Sequence, residues 1–205
     1  MTRVKICGLK SPQDIEIVNE CMPDYIGFVF ADFSKRYVTP EKSLELKQLV
    51  NPKIKSVGVF VNERIDVIMS ILESGAIDIV QLHGNEDEEY VAELRERIRC
   101  SKVLSPEPEI IQVFNMNKIQ NLSDIQKTSA DYILLDSGYG TGQTFDWEKL
   151  KDIDKPFFLA GGLNLENVEQ AVREIAPFAV DVSSGVETQG SKDRSKVERF
   201  INLVK

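Results

Sequence analysis

One histidine, His83, and three cysteines, Cys7, Cys21 and Cys100, are all the imidazole and thiol groups in this chain of 205 residues. Three thiols at unrelated spacings exclude a disulfide framework and a zinc knuckle. A single imidazole leaves no histidine-based metal cluster, and metal catalysis is not expected. Positive charge is also short, with 25 Lys and Arg against 33 Asp and Glu and a formal net charge of −8. Phosphate-backbone binding needs a clustered basic excess, so neither nucleic acid nor an anionic membrane is an expected partner. No window approaches the roughly 18 uninterrupted apolar residues of a membrane span. Met1-Thr2-Arg3-Val4-Lys5 lacks the apolar core of a secretory signal, and a cytoplasmic protein is expected. No Ser/Gly-rich linker divides the chain, so residues 1–205 read as one domain. No oligomeric interface is legible in the residues, and a monomer is the expected state.

What is present is a regular beat. Eight short apolar runs alternate with longer amphipathic stretches: Val4 to Ile6, Tyr25 to Phe30, Ser56 to Val61, Ile77 to Leu82, Ile110 to Phe114, Tyr132 to Leu135, Phe157 to Ala160 and Phe178 to Val182. For the fifth, Lys102 to Leu104 competes across Pro106 and Pro108; choosing Ile110 to Phe114 leaves Leu122 to Gln126 as a short helix. Helix starts support the alternation. Ser11-Pro12-Gln13-Asp14 has an N-cap serine, a proline at the first helical position and an acid at the capping-box position, and Thr39-Pro40-Glu41 repeats the idea. Asn62, Asn85 and Asn164 are read as further N-caps. Strand-helix alternation eight times over predicts an α/β fold, a closed parallel (β/α)8 TIM barrel, with an open doubly wound sheet as the alternative.

In such a barrel the active site lies at the carboxyl ends of the strands. Alternation of side chains sends Val4 and Ile6 toward the helices and Lys5 and Cys7 inward. By the same parity Asp136, Asp181 and Ser183 face in. A lone thiol is ordinarily an inert buried residue, but inward parity at the rim turns Cys7 toward catalysis. Asp136 could cap its own turn, and again the parity favours catalysis. Lys5 and Asp181, on neighbouring strands, read as a buried structural pair. Arg36 is either a solvated loop residue or a bidentate clamp on a carboxylate. His83 reads as a satisfied rim histidine, Cys21 as core and Cys100 as a loop thiol. Gly138 to Gly142 reads as a flexible loop over the site. Two glycine turns, Gly161-Gly162 after strand seven and Ser183-Ser184-Gly185 after strand eight, can present backbone amides to an anion. A phosphorylated small-molecule substrate is the expected partner.

The ordered set Lys5-Ile6-Cys7-Gly8, Gly27-Phe28-Val29-Phe30, Ser34-Lys35-Arg36-Tyr37, Gly58-Val59-Phe60-Val61-Asn62, Gln81-Leu82-His83-Gly84, Gly140-Thr141-Gly142 with Phe145-Asp146-Trp147, Ala160-Gly161-Gly162-Leu163 and Asp181 to Glu187 resembles the phosphoribosylanthranilate isomerases. The resemblance spans all eight strands. It implies a (β/α)8 barrel that carries out the Amadori rearrangement of N-(5-phosphoribosyl)anthranilate in tryptophan biosynthesis, with no cofactor and no metal. It implies further that Cys7 is the general base and Asp136 the general acid, that Arg36 holds the anthranilate carboxylate, and that Gly161, Gly162, Ser183, Ser184 and Gly185 bind phosphate. For those roles the Asp136 carboxyl should be pushed up and the Cys7 thiol pulled down. The loop after Asp136 departs from the family pattern, being short with Tyr139 before Gly140, which bears on active-site closure.

Two alternatives remain. One is a catalytically inactive barrel that only binds a phosphorylated metabolite. The other is a related phosphate-binding barrel enzyme, such as a ribulose-phosphate epimerase, which calls for metal-ligating histidines, or an indole-glycerol-phosphate synthase, which calls for catalytic Lys and Glu at several strand ends.

Overall fold

The computed structural model describes residues 1–116, 125, 127–136, 153 and 155–205. The apolar runs are buried on both faces, one against the helices and one inside, as parallel strands require. They form β1 (Arg3–Cys7), β2 (Tyr25–Val29), β3 (Lys55–Phe60), β4 (Ile79–Leu82), β5 (Glu109–Asn115), β6 (Tyr132–Asp136), β7 (Phe157–Ala160) and β8 (Ala179–Val182). Each pairs in parallel with the next, and β8 returns to β1 with Lys5 opposite Asp181, closing the barrel. Strand five is therefore the Ile110 to Phe114 run; Val103, in the competing run, is 67% exposed. The short helix read at Leu122 to Gln126, its buried Ile125 apart, and the loop Gly138 to Gly142 lie outside the described residues, as do Phe145, Asp146 and Trp147.

Side-chain parity follows the sequence reading. Val4, Ile6, Val180 and Val182 are buried in the layer between strands and helices. The interior is filled from Tyr25, Val57, Ile79, Ile111, Leu134, Phe158 and Ala179. At its amino-terminal end Tyr25 and Tyr132 both meet the Phe158 ring edge-on, at 5.4 and 5.7 Å between centroids. This end is an apolar and aromatic plug, so the polar chemistry is confined to the carboxyl ends of the strands.

The helices α1 (Pro12–Cys21), α2 (Pro40–Lys47), α3 (Ile65–Glu73), α4 (Glu88–Cys100), α5 (Val168–Ile175) and α6 (Arg194–Val204) surround the barrel. Ser11 and Thr39 cap α1 and α2 as their sequences predict. Ser11 Oγ accepts from Asp14 N while Asp14 Oδ2 accepts from Ser11 N at 3.0 Å, the reciprocal capping box. The asparagine caps are corrected. Helix α3 begins after Arg64, α4 is capped by Asp87, and α5 begins after Asn167. The three asparagines instead lie in the preceding loops. Asn62, at φ 51°, accepts from Asn85 N at 2.7 Å, stitching the loop after β3 to the loop after β4. Asn164 accepts from Glu166 N at 2.8 Å within its own turn. The Asn62 and Asn164 side chains each satisfy a loop amide two or more residues before the helix proper, the competing use of asparagine, and Asn85 supplies the backbone amide that Asn62 accepts. Cys21 packs partly buried against the core, whereas Cys100 is the exposed last residue of α4 rather than a loop thiol.

A feature without a signal in the strand periodicity follows β8. A single 3₁₀ turn (Ser184–Val186) leads into a two-residue antiparallel hairpin, β9 (Glu187–Thr188) and β10 (Ser191–Lys192). Gln189 and Gly190, at φ 53° and 79°, form its turn; positive φ at both central residues matches the right-handed twist of a tight hairpin.

Candidate active site

Cys7 is the last residue of β1 and its register partner on β2 is Gly27. A Cβ on Gly27 would lie 2.6 Å from Cys7 Sγ, so the missing side chain provides the space that the thiol occupies. Below Cys7 lies Lys5, wholly buried, with Nζ 2.9 Å from Asp181 Oδ2. This is the buried pair the sequence suggests. Burial alone depresses the Lys5 ammonium, but the neighbouring Asp181 carboxylate and Cys7 more than offset it and the pKa ends raised. The thiol behaves opposite to the sequence expectation. Burial pushes Cys7 up, Lys5 pulls it only part of the way back, and Asp181 adds to the rise. The expected lowering fails because a thiolate here must surrender its hydration to a site that supplies charge of both signs. Gln81 Oε1 and Asp181 Oδ1, also buried, have no hydrogen-bond partner among the described residues.

Asp136 ends β6 and faces the barrel mouth, with its register partner Asn115 on β5. His83, the residue after β4, stands beside it: Nε2 is 4.0 Å from Asp136 Oδ2, and Nδ1 is 3.1 Å from Gln81 Nε2. Burial and then the Lys5 charge hold the imidazole below its ordinary pKa, so it is neutral at pH 7. A groove of about 640 Å³ opens over this side of the mouth, lined by Asn62, His83, Asn85, Gln112, Asn115 and Asp136 among others. Among the described residues no three His, Cys, Asp or Glu side chains form a metal-ligand cluster.

Arg36, in the loop after β2, is half-buried and paired rather than simply solvated. Its Nε and Nη2 donate to Glu187 Oε1 and Oε2 at 2.8 and 2.7 Å. Glu187 accepts in addition from Lys192 Nζ at 2.8 Å. Burial opposes its charge, but the Arg36 and Lys192 contacts prevail and hold the carboxyl down at about 2. Sequence reasoning took Arg36 alone; Glu187 and Lys192 were hidden because the hairpin that joins them is only two residues per strand.

The two glycine turns abut. Gly161 and Gly162 sit at φ 97° and 80°, and the Gly162 carbonyl accepts from Asn167 Nδ2 at 3.1 Å. Ser183 Oγ donates to the Cys7 carbonyl at 2.9 Å, so its hydroxyl ties β8 to β1. Gly185 touches the first turn so closely that a Cβ there would lie 2.0 Å from the Leu163 carbonyl oxygen and 3.0 Å from Asn164 Cα. Both obstacles are backbone and cannot rotate away. Gly185→Ala is therefore expected to cost about 1–3 kcal/mol by overpacking and to weaken binding of inorganic phosphate. Thermal unfolding and calorimetric titration check this, and an unchanged melting temperature would show that the turns separate freely.

A closed barrel that gathers a thiol at the end of β1, a carboxyl at the end of β6 and a guanidinium beside the first at one mouth has the layout of a (β/α)8 enzyme. Its family is narrower still. The model of the N-(5'phosphoribosyl)anthranilate (PRA) isomerase family matches residues 4–203, and the chain belongs to that family. An N-(5'-phosphoribosyl)anthranilate isomerase from Endomicrobium trichonymphae is 43% identical over 210 residues, covering 100% of this chain and 99% of the relative. One from Thermoanaerobacter sp. (strain X514) is 41% identical with 100% and 98% covered. The crystal structure of phosphoribosyl anthranilate isomerase from Thermotoga maritima superposes with a TM-score of 0.82 at 36% identity, over 100% of this chain and 98% of that one. A phosphoribosyl anthranilate isomerase solved in complex with reduced 1-(o-carboxyphenylamino)-1-deoxyribulose 5-phosphate superposes with a TM-score of 0.81 at 35% identity, with the same coverage.

Proposed function

We propose that the chain isomerises N-(5-phosphoribosyl)anthranilate to 1-(o-carboxyphenylamino)-1-deoxyribulose 5-phosphate in tryptophan biosynthesis, by general acid-base catalysis. The observation that carries this reading is the convergence on one barrel mouth of Cys7, Asp136 and Arg36, within a family of this activity. Asp136 protonates the furanose ring oxygen as the C–O bond breaks and the anthranilate nitrogen lone pair forms the Schiff base. The thiolate of Cys7, the minor form of a thiol pushed up by burial, then removes the C2 proton, and the C–H electron pair moves to neutralise the iminium as an enolamine. Tautomerisation, with a proton added at C1 and one lost from the C2 hydroxyl, gives the aminoketose; Cys7 then releases one proton to solvent and Asp136 regains one, so the cycle balances. No group on this path needs a metal or a cofactor.

Arg36 takes the anthranilate carboxylate, and the turns at Gly161, Gly162, Ser183, Ser184 and Gly185 take the phosphate. Support for the second role is the packing of the two turns against each other and the phosphorylated ligand carried by the solved relative. Residues 1–205 act as one catalytic domain, a monomer in the cytoplasm. Its ends are joined by α6, which packs on α1 and β1.

The test is the fluorescence decay of freshly generated phosphoribosylanthranilate on addition of the protein. First-order loss of signal with formation of the aminoketose is expected. Absence of turnover, with phosphate analogues still bound, would overturn the activity and leave a barrel that binds phosphorylated metabolites.

A further inference from the structure

The hairpin β9–β10 is too short to add to any core, yet it carries two deeply set charges to the barrel mouth. Its register puts Lys192 directly across from Glu187. The Lys192 side chain is 1% exposed and that of Glu187 10%. Lys192 Nζ also donates to the Ser183 carbonyl at 3.0 Å, and Ser183 Oγ donates to the Cys7 carbonyl. Glu187 is thus anchored to the strand ends that carry the thiol. Burying such an ion pair brings little stability by itself, so its presence asks for another reason.

The geometry of Arg36 supplies one. A guanidinium has five N–H bonds, arranged as a side-on edge and an end-on fork. Glu187 takes the side-on edge, through Nε and one hydrogen of Nη2. The end-on fork, Nη1 with the second hydrogen of Nη2, has no partner among the described residues and matches a second carboxylate in bidentate geometry. The stem of Arg36 lies against Gly8, where a Cβ would come within 2.3 Å of Arg36 Cδ. The side-on edge is held by Glu187, and among the described residues the end-on fork is open.

We propose that Glu187, backed by Lys192, is a positioning residue for substrate recognition: it holds Arg36 side-on so that the end-on fork receives the aryl carboxylate. The proposal rests on the reading of Arg36 as the carboxylate clamp. It opposes what charge alone would do. Removing the Glu187 charge makes the mouth more positive, which should tighten an anionic ligand; losing the positioning should weaken it. An internal carboxylate that merely fills the clamp until substrate displaces it also predicts tightening.

The experiment measures, by calorimetry, binding of the reduced product analogue carrying the o-carboxyl and of the same compound without it. Wild type is compared with Glu187→Gln, Arg36→Ala and the Arg36→Ala/Glu187→Gln double variant. Glu187→Gln is expected to weaken the carboxylated ligand about tenfold and to change the carboxyl-free one by less than about twofold. In the Arg36→Ala background it should add nothing, because Glu187 acts only through Arg36. In turnover, KM should rise about tenfold with kcat within about twofold, the signature of lost uniform binding. Tighter or unchanged binding of the carboxylated ligand, or equal weakening of both ligands, would overturn the proposal. If Arg36→Ala itself fails to discriminate between the two ligands, the clamp reading falls and this proposal with it. Because Glu187→Gln leaves a buried ammonium short of its counter-charge, Glu187→Gln/Lys192→Met, which removes both charges, is measured alongside and should discriminate between the ligands in the same way.

Discussion

Cys7→Ala is expected to lower kcat by about 10²–10⁴-fold while leaving binding of the reduced product analogue nearly intact. The two effects separate because of how Cys7 is held. Its backbone is fixed by the β1 ladder and by the Ser183 hydroxyl on its carbonyl, neither of which involves sulfur. Removing the sulfur leaves a small void against Gly27, costing about 1 kcal/mol, and the Lys5–Asp181 pair below keeps its own contact. Kinetics, thermal unfolding and calorimetry on one preparation check this. Equal loss of turnover and binding would instead identify a structural thiol.

The raised pKa of Cys7 adds a second readout. Burial keeps the group neutral at pH 7, so its thiolate fraction grows about tenfold per pH unit until its own elevated pKa is reached. Peptide-resolved alkylation by iodoacetamide should therefore be slow at neutral pH and continue to accelerate above the ordinary thiol range, with bound product analogue suppressing it. Peptide resolution matters because Cys100 is exposed and reacts independently. Rapid modification of Cys7 at pH 7 would instead reveal a thiolate stabilised by Lys5, with its pKa lowered rather than raised.

Asp136→Asn is the other large effect, again about 10²–10⁴-fold on kcat. Asparagine matches the shape of aspartate and can donate a hydrogen bond, but it cannot deliver a proton to the departing ring oxygen. Among the described residues His83 stands beside it, with Nε2 4.0 Å from the carboxylate. Burial and Lys5 keep that imidazole neutral at pH 7, and its one remaining N–H is far too weak an acid to take over the role. Rescue at neutral pH is not expected. Turnover above about a tenth of wild type, with the variant folded, would move the acid role away from Asp136.

The strand positions were legible because a parallel barrel strand is buried on both faces and so reads as a short β-branched or aromatic run, as Phe157 to Ala160 does. Parity was legible for the same reason. Once Val4 and Ile6 are given to the helix layer, Lys5 and Cys7 have nowhere to point but inward. Ser11 with Pro12 and Asp14 announced its helix because a capping box is entirely local. Asn62 and Asn164 misled because asparagine serves loops and caps alike, and only the partner of its side chain separates them.

What the sequence determined by itself, then, is whatever depends on neighbours along the chain: the strand-helix beat, the inward set of Cys7, Asp136 and Asp181, and the glycine turns after β7 and β8. The tertiary structure alone decided what depends on neighbours across the chain. Arg36 and Glu187 meet over 151 positions of sequence, and Lys5 and Asp181 over 176. The direction of the Cys7 pKa belongs to this second group. It is the balance of lost hydration against the Lys5 charge two residues back and the charges brought from β8 and the hairpin, and neither burial nor distance is written in the order of residues.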